Sequence, residues 1–294
     1  MNSLALVIGA SGQVGHQIAL ALGESAVPAG RTHREGNWLQ IDLAQIAKNP
    51  SIATEILDKH DFGAVYCVGG ATNVDLCESE TEWAMDTNCN GPVALAKACT
   101  HIPFVYFSTE YIFDGEAGPY SEDDAAHPLS VYGKSKWQAE QQILETHPSA
   151  LIVRTTVVYG EDLGGKNFLY TMKRLLSAGM SMRVPIDQFS TPTYNVDLAS
   201  AATALAKNRE SGIFHVAGPE LLSRYDFAAT AAKILGLNLG LLIAVRTSEL
   251  NQRAPRPLRA GLITSKLQNR QLTMRANADA IREWHVYLTM GESS

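Results

Sequence analysis

A tyrosine and a lysine lie four residues apart in the segment Tyr132-Gly-Lys-Ser-Lys136. On a helix this spacing places both side chains on one face, one turn apart. A phenol is a poor base but a usable acid, and we expect a neighbouring ammonium to lower its pKa. The pair could therefore relay a proton to or from a substrate oxygen. Any surface helix can contain this spacing by chance, so the surroundings of the pair decide its meaning.

Two hydroxyl groups, Ser108 and Thr109, stand upstream of that pair at the end of the apolar run Pro103–Ser108. If this run is a buried strand, the hydroxyls lie at the carboxyl edge of a sheet, where open α/β sheets bind ligands. A hydroxyl there can hydrogen-bond a reacting oxygen. The alternative is that Ser108 and Thr109 only cap the strand end.

A glycine-rich turn, Gly9-Ala-Ser-Gly12-Gln-Val-Gly15, separates the apolar run Leu4–Ile8 from the helical pattern Gln13–Leu22. Gly9 permits a tight turn, Gly12 allows close approach of a pyrophosphate, and Gly15 allows close packing of helix on strand. The phosphates would then meet the positive end of the helix dipole. With a strand before it and a helix after it, the turn predicts a dinucleotide site rather than a structural turn.

Two arginines, Arg31 and Arg34, follow the second predicted strand, where an acidic residue would be expected to bind a ribose hydroxyl. A guanidinium suits a 2′-phosphate, so the sequence favours NADP over NAD, which stays an alternative. The competing interpretation is a solvated basic loop.

Apolar runs and helical patterns alternate along the first half of the chain, and the runs are apolar throughout, as in parallel strands buried on both faces. The predicted elements beyond the glycine turn are Ala64–Val68, Asn90–Cys99, Pro103–Ser108, Ser130–Glu145, Leu151–Val158, Asn195–Lys207, Ile213–Ala217 and a helical region from Ser223. They predict an α/β, Rossmann-type doubly wound parallel sheet with a smaller, interleaved C-terminal substrate lobe. The expected dinucleotide-binding domain is 1–158, with a return at about 191–218. The expected substrate-binding lobe comprises 159–190 and 219–294.

The composition excludes several classes of function. The 294 residues are 46% hydrophobic and 18% charged, which is typical of a globular protein, and the net charge is −6. There is no long basic run, so neither nucleic acid nor a membrane is an expected partner. The apolar start is too short to span a bilayer and lacks a basic n-region, which predicts a cytoplasmic protein. The four cysteines and eight histidines lack metal-binding spacing, so we expect reduced thiols and no metal.

Several motifs together resemble those of a known family. The GxxGxxG spacing is typical of short-chain dehydrogenase/reductases. The glycine turn, the YxxxK helix and four further segments follow the order and spacing of the extended members that resemble dTDP-4-dehydrorhamnose reductase, over most of the chain. The four segments are STEYIFDG from Ser108, RTTVVY from Arg154, DQFSTPT from Asp187 and RPLRAGL from Arg256.

The resemblance implies roles for individual residues. Thr109, Tyr132 and Lys136 would form the catalytic triad. Cofactor contacts would come from the glycine turn, the residues after the second and third strands, and the triad helix: Gly9, Ser11, Gly12, Gln13, Val14, Gly15, Arg31, Asp42, Leu43, Gly69, Gly70, Ala71, Tyr132 and Lys136. Substrate contacts would come from Thr109, Glu110, Val157, Gln188 and Arg256. For Arg256, a structural salt bridge is the alternative to a nucleotide diphosphate.

The sequence also departs from that family. Glu110 stands in place of an Asp, Val157 of a substrate-facing Trp, Ser190 of a Gly, Ala260 of a Ser, and Gly69-Gly70 of an Ala pair. Val157 and Ala260 lie on the substrate side, so they bear on which sugar nucleotide is accepted. None of the departures removes the triad.

The function implied by the resemblance is NADPH-dependent reduction of the C4 ketone of a nucleotide-linked 4-keto-6-deoxy sugar, by a chain that can form a homodimer. Two alternatives stay open. One is a non-catalytic, NADP-binding regulatory subunit, like the beta subunit of methionine adenosyltransferase. The other is a sugar-nucleotide epimerase or dehydratase, which would reduce and reoxidise a tightly held cofactor within one cycle.

Overall fold

A computed structural model describes residues 3–32, 34 and 36–291. The strands are β1 Leu4–Ile8, β2 Ala26–Gly30, β3 Leu39–Gln40, β4 Phe62–Cys67, β5 Phe104–Thr109, β6 Leu151–Thr155, β7 Val158–Tyr159, β8 Met182–Pro185, β9 Phe189–Ser190, β10 Thr193–Tyr194, β11 Gly212–His215, β12 Leu222–Ser223 and β13 Leu242–Val245. The α-helices are α1 Gln13–Leu22, α2 Leu43–Lys48, α3 Ser51–Asp58, α4 Val74–Ser79, α5 Thr81–Met85, α6 Gly91–Ala98, α7 Val131–Thr146, α8 Phe168–Ser177, α9 Asn195–Lys207, α10 Arg224–Ile234, α11 Ser265–Gln268 and α12 Asn277–Gly291.

The main sheet has seven strands in the order β11-β6-β5-β4-β1-β2-β3. All of its pairings are parallel. The chain runs outward from β1 through β2 to β3, then restarts on the other side of β1 with β4. This reversal between β1 and β4 is the switch point at which doubly wound sheets bind ligands. The predicted Rossmann-type α/β fold is confirmed.

Two apolar layers cover the sheet, one on each face. One face packs mainly against α2, α6 and α7, with Ile46, Leu95 and Ile143 fully buried. The other packs against α1 and α9, with Ile18 and Leu198 fully buried. Because each strand contributes alternate side chains to both layers, its sequence is apolar throughout, as the sequence pattern indicated.

A third core lies beyond the sheet and joins α8, α10 and α12 around Met172, Phe227 and Trp284. The chain enters and leaves this core repeatedly. It crosses back to the sheet with α9 and β11, and again at Leu267 of α11, which packs on the main sheet although it falls within the predicted range 219–294. The division into a dinucleotide domain and a substrate lobe stays a prediction.

Three elements, β1, α1 and α9, have the predicted bounds to the residue. The prediction of one strand over Leu151–Val158 is wrong, because β6 ends at Thr155 and the separate strand β7 begins at Val158. Between them Val157 has φ 39°, in the left-handed region that a β-branched residue rarely adopts. The chain bends here, out of the main sheet and towards the third core.

Among the described residues, no helix combines the length and apolar character that crossing a membrane would need.

Candidate active site

A cleft of about 1220 Å³, including its mouth open to solvent, runs along the carboxyl edge of the main sheet at the switch point. Nearly all of the residues predicted to bind a cofactor line it: Gly9, Ser11, Gly12, Gln13, Val14, Gly15, Arg31, Asp42, Leu43, Gly69, Gly70, Tyr132 and Lys136. Ala71 does not line the cleft. It is buried, and its amide nitrogen donates to Asn88 Oδ1 at 2.7 Å.

The three glycines of the turn have different reasons to be glycine. Gly9 has φ +91°, and a Cβ there would lie 2.5 Å from the amide nitrogen of Gly69. A Cβ at Gly15 would lie 2.3 Å from the carbonyl oxygen of Gly9, so α1 can approach β1 only without it. A Cβ at Gly12 would meet nothing closer than that same carbonyl oxygen at 3.4 Å. Gly9 and Gly15 are therefore needed by the fold, whereas Gly12 borders open space in the cleft.

The amino end of α1 fits a bound anion. Gly12 caps this helix without a side-chain hydrogen bond, and the first turn holds no acidic residue. By contrast, Asp42 caps α2 by accepting from the amide of Ala44 at 2.9 Å, and Ser130 caps α7. The first amide groups of α1 thus face the cleft free of a capping side chain, which suits a pyrophosphate.

Replacing Gly12 with alanine is expected to weaken NADPH binding at least about tenfold while leaving the melting temperature nearly unchanged, because the methyl group would enter the cleft and not the core. Titration of the purified variant with NADPH, followed by calorimetry, measures the change.

Gly164→Ala is the matched control for this variant, because a Cβ at Gly164 also meets its nearest neighbour at 3.4 Å and the residue does not line the cleft. We expect its NADPH affinity to equal that of the parent. Equal affinities for the parent and the Gly12 variant would contradict the placement of the pyrophosphate.

Polar side chains link the glycine turn to the segment after β7. Gln13 donates from Nε2 to the carbonyl oxygen of Val158 at 3.3 Å and accepts from Asn167 Nδ2 at 3.1 Å. Asn195, at the start of α9, donates to the carbonyl oxygens of Gln13 at 3.2 Å and Glu161 at 2.6 Å. The turn is thereby held against the part of the chain that leads into the third core.

The two arginines after β2 lie in different surroundings. Arg31 lines the cleft. Arg34 packs its guanidinium over the ring of Trp38, 5.0 Å from the ring centroid.

Tyr132 and Lys136 line the same cleft, and Thr109 lies next to Tyr132. A Cβ at Gly133 would lie 2.1 Å from the carbonyl oxygen of Tyr111, so this glycine lets α7 press against the segment after β5. That approach brings Tyr132 into a hydrogen bond with Thr109. One turn further along, Lys136 is buried and donates from Nζ to the carbonyl oxygen of Phe107 at 2.8 Å. The predicted face of the helix carries both groups.

The lowering of the Tyr132 pKa by Lys136 together with the nicotinamide charge stays a prediction, and within the protein itself burial is the larger effect. Burial raises the pKa of Tyr132 above its usual range, and the hydrogen bond with Thr109 only partly opposes that rise. Burial also lowers the pKa of Lys136 to about 8. The physical reason for both shifts is desolvation, which disfavours the charged form of each group. Tyr132 is therefore a protonated phenol at neutral pH, which is the form that can donate a proton.

The residues predicted to contact a substrate are only partly brought together. Glu110, directly after Thr109, is buried, and burial raises its pKa to about 8. Arg256 forms a salt bridge from Nη2 to Asp75 at 2.9 Å, which is the structural role that the sequence offered as the alternative to diphosphate binding. Its Nη1 atom is buried without a hydrogen-bond partner. Gln188 donates from Nε2 to Thr247 Oγ1 at 3.1 Å and to Gln252 Oε1 at 3.2 Å.

Sequence reasoning missed several residues of the site. Asn88 is fully buried, donates to Ser135 Oγ at 3.0 Å and also bonds both backbone groups of Ala71, so it ties α7 to the loop after β4. It lies in a π-helical turn, Asp86–Asn90. Such turns are frequent at functional sites, but they have no clear sequence pattern. Thr87 also lines the cleft and had no motif to mark it, and Thr155 lines it too, within the segment RTTVVY, where it was not singled out.

The four cysteines are buried and unpaired. Within the described ranges, no three His, Cys, Asp or Glu side chains are arranged to hold a metal ion.

The switch-point cleft, the glycine turn and the Tyr132–Lys136 helix are those of the extended short-chain dehydrogenase/reductases. The family model described as "RmlD substrate binding domain" matches residues 3–287. The chain belongs to this family.

Relatives and solved structures agree with that assignment. A dTDP-4-dehydrorhamnose reductase of Aggregatibacter actinomycetemcomitans is 34% identical over 279 residues, which cover 90% of this chain and 91% of the relative. The spore coat polysaccharide biosynthesis protein SpsK of Bacillus subtilis is 33% identical over 287 residues, or 95% of each chain. The crystal structure of a Bacillus anthracis dTDP-4-dehydrorhamnose reductase in complex with NADP superimposes with a TM-score of 0.87 at 27% identity, covering 98% of this chain and 100% of that one.

Proposed function

We propose that this protein is an NADPH-dependent reductase that acts on the C4 ketone of a nucleotide-linked 4-keto-6-deoxy sugar. The observation that carries the proposal is that Tyr132 and Lys136 line the same cleft as the uncapped glycine turn, with Thr109 hydrogen-bonded to Tyr132. The names of the relatives and the NADP complex of a structural neighbour support the substrate and the cofactor.

The residues present fit such a cofactor along the whole cleft. The amides at the start of α1 would hold the pyrophosphate, and Arg31 the 2′-phosphate. Lys136 would hold the nicotinamide ribose. When bound, the reduced nicotinamide supplies the hydride.

Proton delivery would be the task of Tyr132. Its phenol is protonated at neutral pH and lies in a hydrogen bond with Thr109. Thr109 would orient the substrate carbonyl, Tyr132 would donate its proton to the carbonyl oxygen, and the charge of Lys136 would stabilise the phenolate that results.

Glu110 and Arg256 would contact the substrate beyond the reacting carbonyl. Glu110 keeps its proton up to about pH 8, so its buried carboxyl can donate a hydrogen bond to a sugar hydroxyl. Arg256 Nη1 is buried with no protein partner, and a diphosphate oxygen would satisfy it. Within this proposal, 1–158 with about 191–218 binds the dinucleotide, and 159–190 with 219–294 binds the sugar nucleotide.

A panel of keto-sugar nucleotides, assayed with NADPH and with NADH by loss of nicotinamide absorbance, tests reaction class, substrate and cofactor together. Consumption of NADPH with a 4-keto-6-deoxy sugar nucleotide is the expected result. Tightly retained cofactor without net consumption would instead favour an epimerase or dehydratase. Co-purification with a larger enzyme and no oxidation of NADPH would favour a regulatory subunit. Light scattering of the same preparation tests the proposed homodimer.

Replacing Arg31 with serine is expected to reduce the preference for NADPH over NADH at least about tenfold, because a charged bond to the 2′-phosphate would be lost. The ratio of kcat/KM for the two cofactors measures this preference. Arg34→Ser is the matched control, since Arg34 packs on Trp38 and does not line the cleft. A larger loss in the control than in the Arg31 variant would assign the 2′-phosphate to Arg34 instead.

A further inference from the structure

Three buried hydroxyl groups in the walls of the cleft have no hydrogen-bond partner in the protein. They belong to Thr87, Ser108 and Thr155, and all three residues line the cleft together with Tyr132 and Lys136. Burying a hydroxyl without a partner is unfavourable, and native proteins rarely do so. Their clustering in one cleft indicates that a ligand supplies the missing bonds.

Thr155 has a special position among them because of the strand register. It is the direct partner of Thr109 in the parallel pairing of β5 with β6. Paired residues on neighbouring strands point to the same face of a sheet, about 4.8 Å apart. The two threonine side chains therefore stand next to each other at the carboxyl edge.

The two neighbouring hydroxyls differ in their bonding. Thr109 accepts from the amide of Tyr111 at 3.2 Å and is hydrogen-bonded with Tyr132. The hydroxyl of Thr155 has no such bond. Thr109 is thus already hydrogen-bonded to the proposed proton donor. The hydroxyl of Thr155, next to it, can still bond a second polar group that lies beside the reacting carbonyl.

We propose that Thr155 is a positioning residue whose hydroxyl binds the amide group of the nicotinamide and so fixes the ring beside Tyr132. This inference rests on the proposed function. A hydroxyl both donates and accepts, and so does a carboxamide, which makes the two groups complementary. The pyrophosphate site at α1 lies at the far end of the cleft, so the nicotinamide half of the dinucleotide reaches the Thr155 end.

The test compares two ligands in the variant Thr155→Val, which replaces the hydroxyl by a methyl group of similar size. NADP⁺ carries the nicotinamide, whereas 2′-phospho-ADP-ribose lacks that ring and keeps the adenosine 2′-phosphate, the pyrophosphate and the second ribose. We expect the variant to bind NADP⁺ about tenfold more weakly than the parent and to bind 2′-phospho-ADP-ribose with unchanged affinity. Its melting temperature should not fall, because no bond within the protein is removed.

Thr156→Val is the matched control. Thr156, the next residue, also has a buried hydroxyl, but this hydroxyl lies against Glu110 and the residue does not line the cleft. We expect this variant to bind both ligands like the parent. Calorimetric titration of the three proteins with the two ligands gives all six affinities.

Two results would overturn the inference about Thr155. One is an unchanged NADP⁺ affinity in Thr155→Val. The other is an equal loss for both ligands, which would mean that the substitution acts through the shape of the whole cleft. A parent protein that binds neither ligand would instead refute the proposed function, and the inference with it.

Discussion

Replacing Tyr132 with phenylalanine is expected to lower kcat by roughly 10²- to 10⁴-fold, which is the usual contribution of a positioned general acid. The ring would remain packed against Tyr111, whose centroid lies 5.6 Å away, so the shape of the site would be kept. The affinity for NADPH should change about twofold or less, because the phenol lies at the opposite end of the cleft from the pyrophosphate site. Single-turnover oxidation of NADPH measures the chemical step, and calorimetry measures binding.

Tyr111→Phe provides the control for that variant, since it removes a neighbouring phenol and leaves the backbone bond from Tyr111 to Thr109 in place. We expect it to keep activity within about threefold of the parent. If the Tyr132 variant retained most of the parent activity, Tyr132 would not be the proton donor.

The second large effect concerns stability. Arg154 and Glu140 form a salt bridge at 2.7 Å in which both side chains are almost completely buried. Arg154→Met would leave the Glu140 carboxylate buried without its partner. Such a loss destabilises a protein by about 3–5 kcal/mol. Urea unfolding monitored by fluorescence should show a correspondingly lower midpoint.

The double variant with Glu140→Leu and Arg154→Met separates two explanations of that effect. If the cost arises from the unpaired carboxylate, an apolar pair should restore much of the stability, because no buried charge remains. Arg282→Met removes an exposed ion pair with Asp279 and should hardly change the midpoint. A double variant as unstable as the single one would show that Arg154 acts mainly through its packing over Phe113.

The predictable part of the molecule is the part in which local sequence determines local structure. The run Leu4–Ile8 is apolar because both faces of its strand are covered, and Gly9 and Gly15 after it are required because an added Cβ would lie 2.5 Å and 2.3 Å from backbone atoms. The four-residue spacing of Tyr132 and Lys136 places them on one helix face wherever the helix packs. These features need no knowledge of distant segments.

The remainder depends on contacts between segments far apart in sequence. The bonds of Asn88 to Ala71 and Ser135 join residues that no motif connects. The bend at Val157 arises where the chain leaves one core for another, so apolar character alone predicted a continuous strand through it. The pKa shift of Tyr132 follows from how completely its surroundings exclude water, which spacing along a helix cannot reveal.

The repeated crossing of the chain between its cores has a consequence for modularity. A fragment ending near residue 158 would lack α9 and β11, and with them much of the layer that covers one face of the sheet. The complementary fragment, from about residue 159 onward, would contain the third core together with α9 and β11, but it would lack the main sheet on which α9 packs and which β11 joins. Neither piece can therefore be exchanged as a cassette between related proteins. New substrate preferences in such a chain must arise from substitutions within the intact chain.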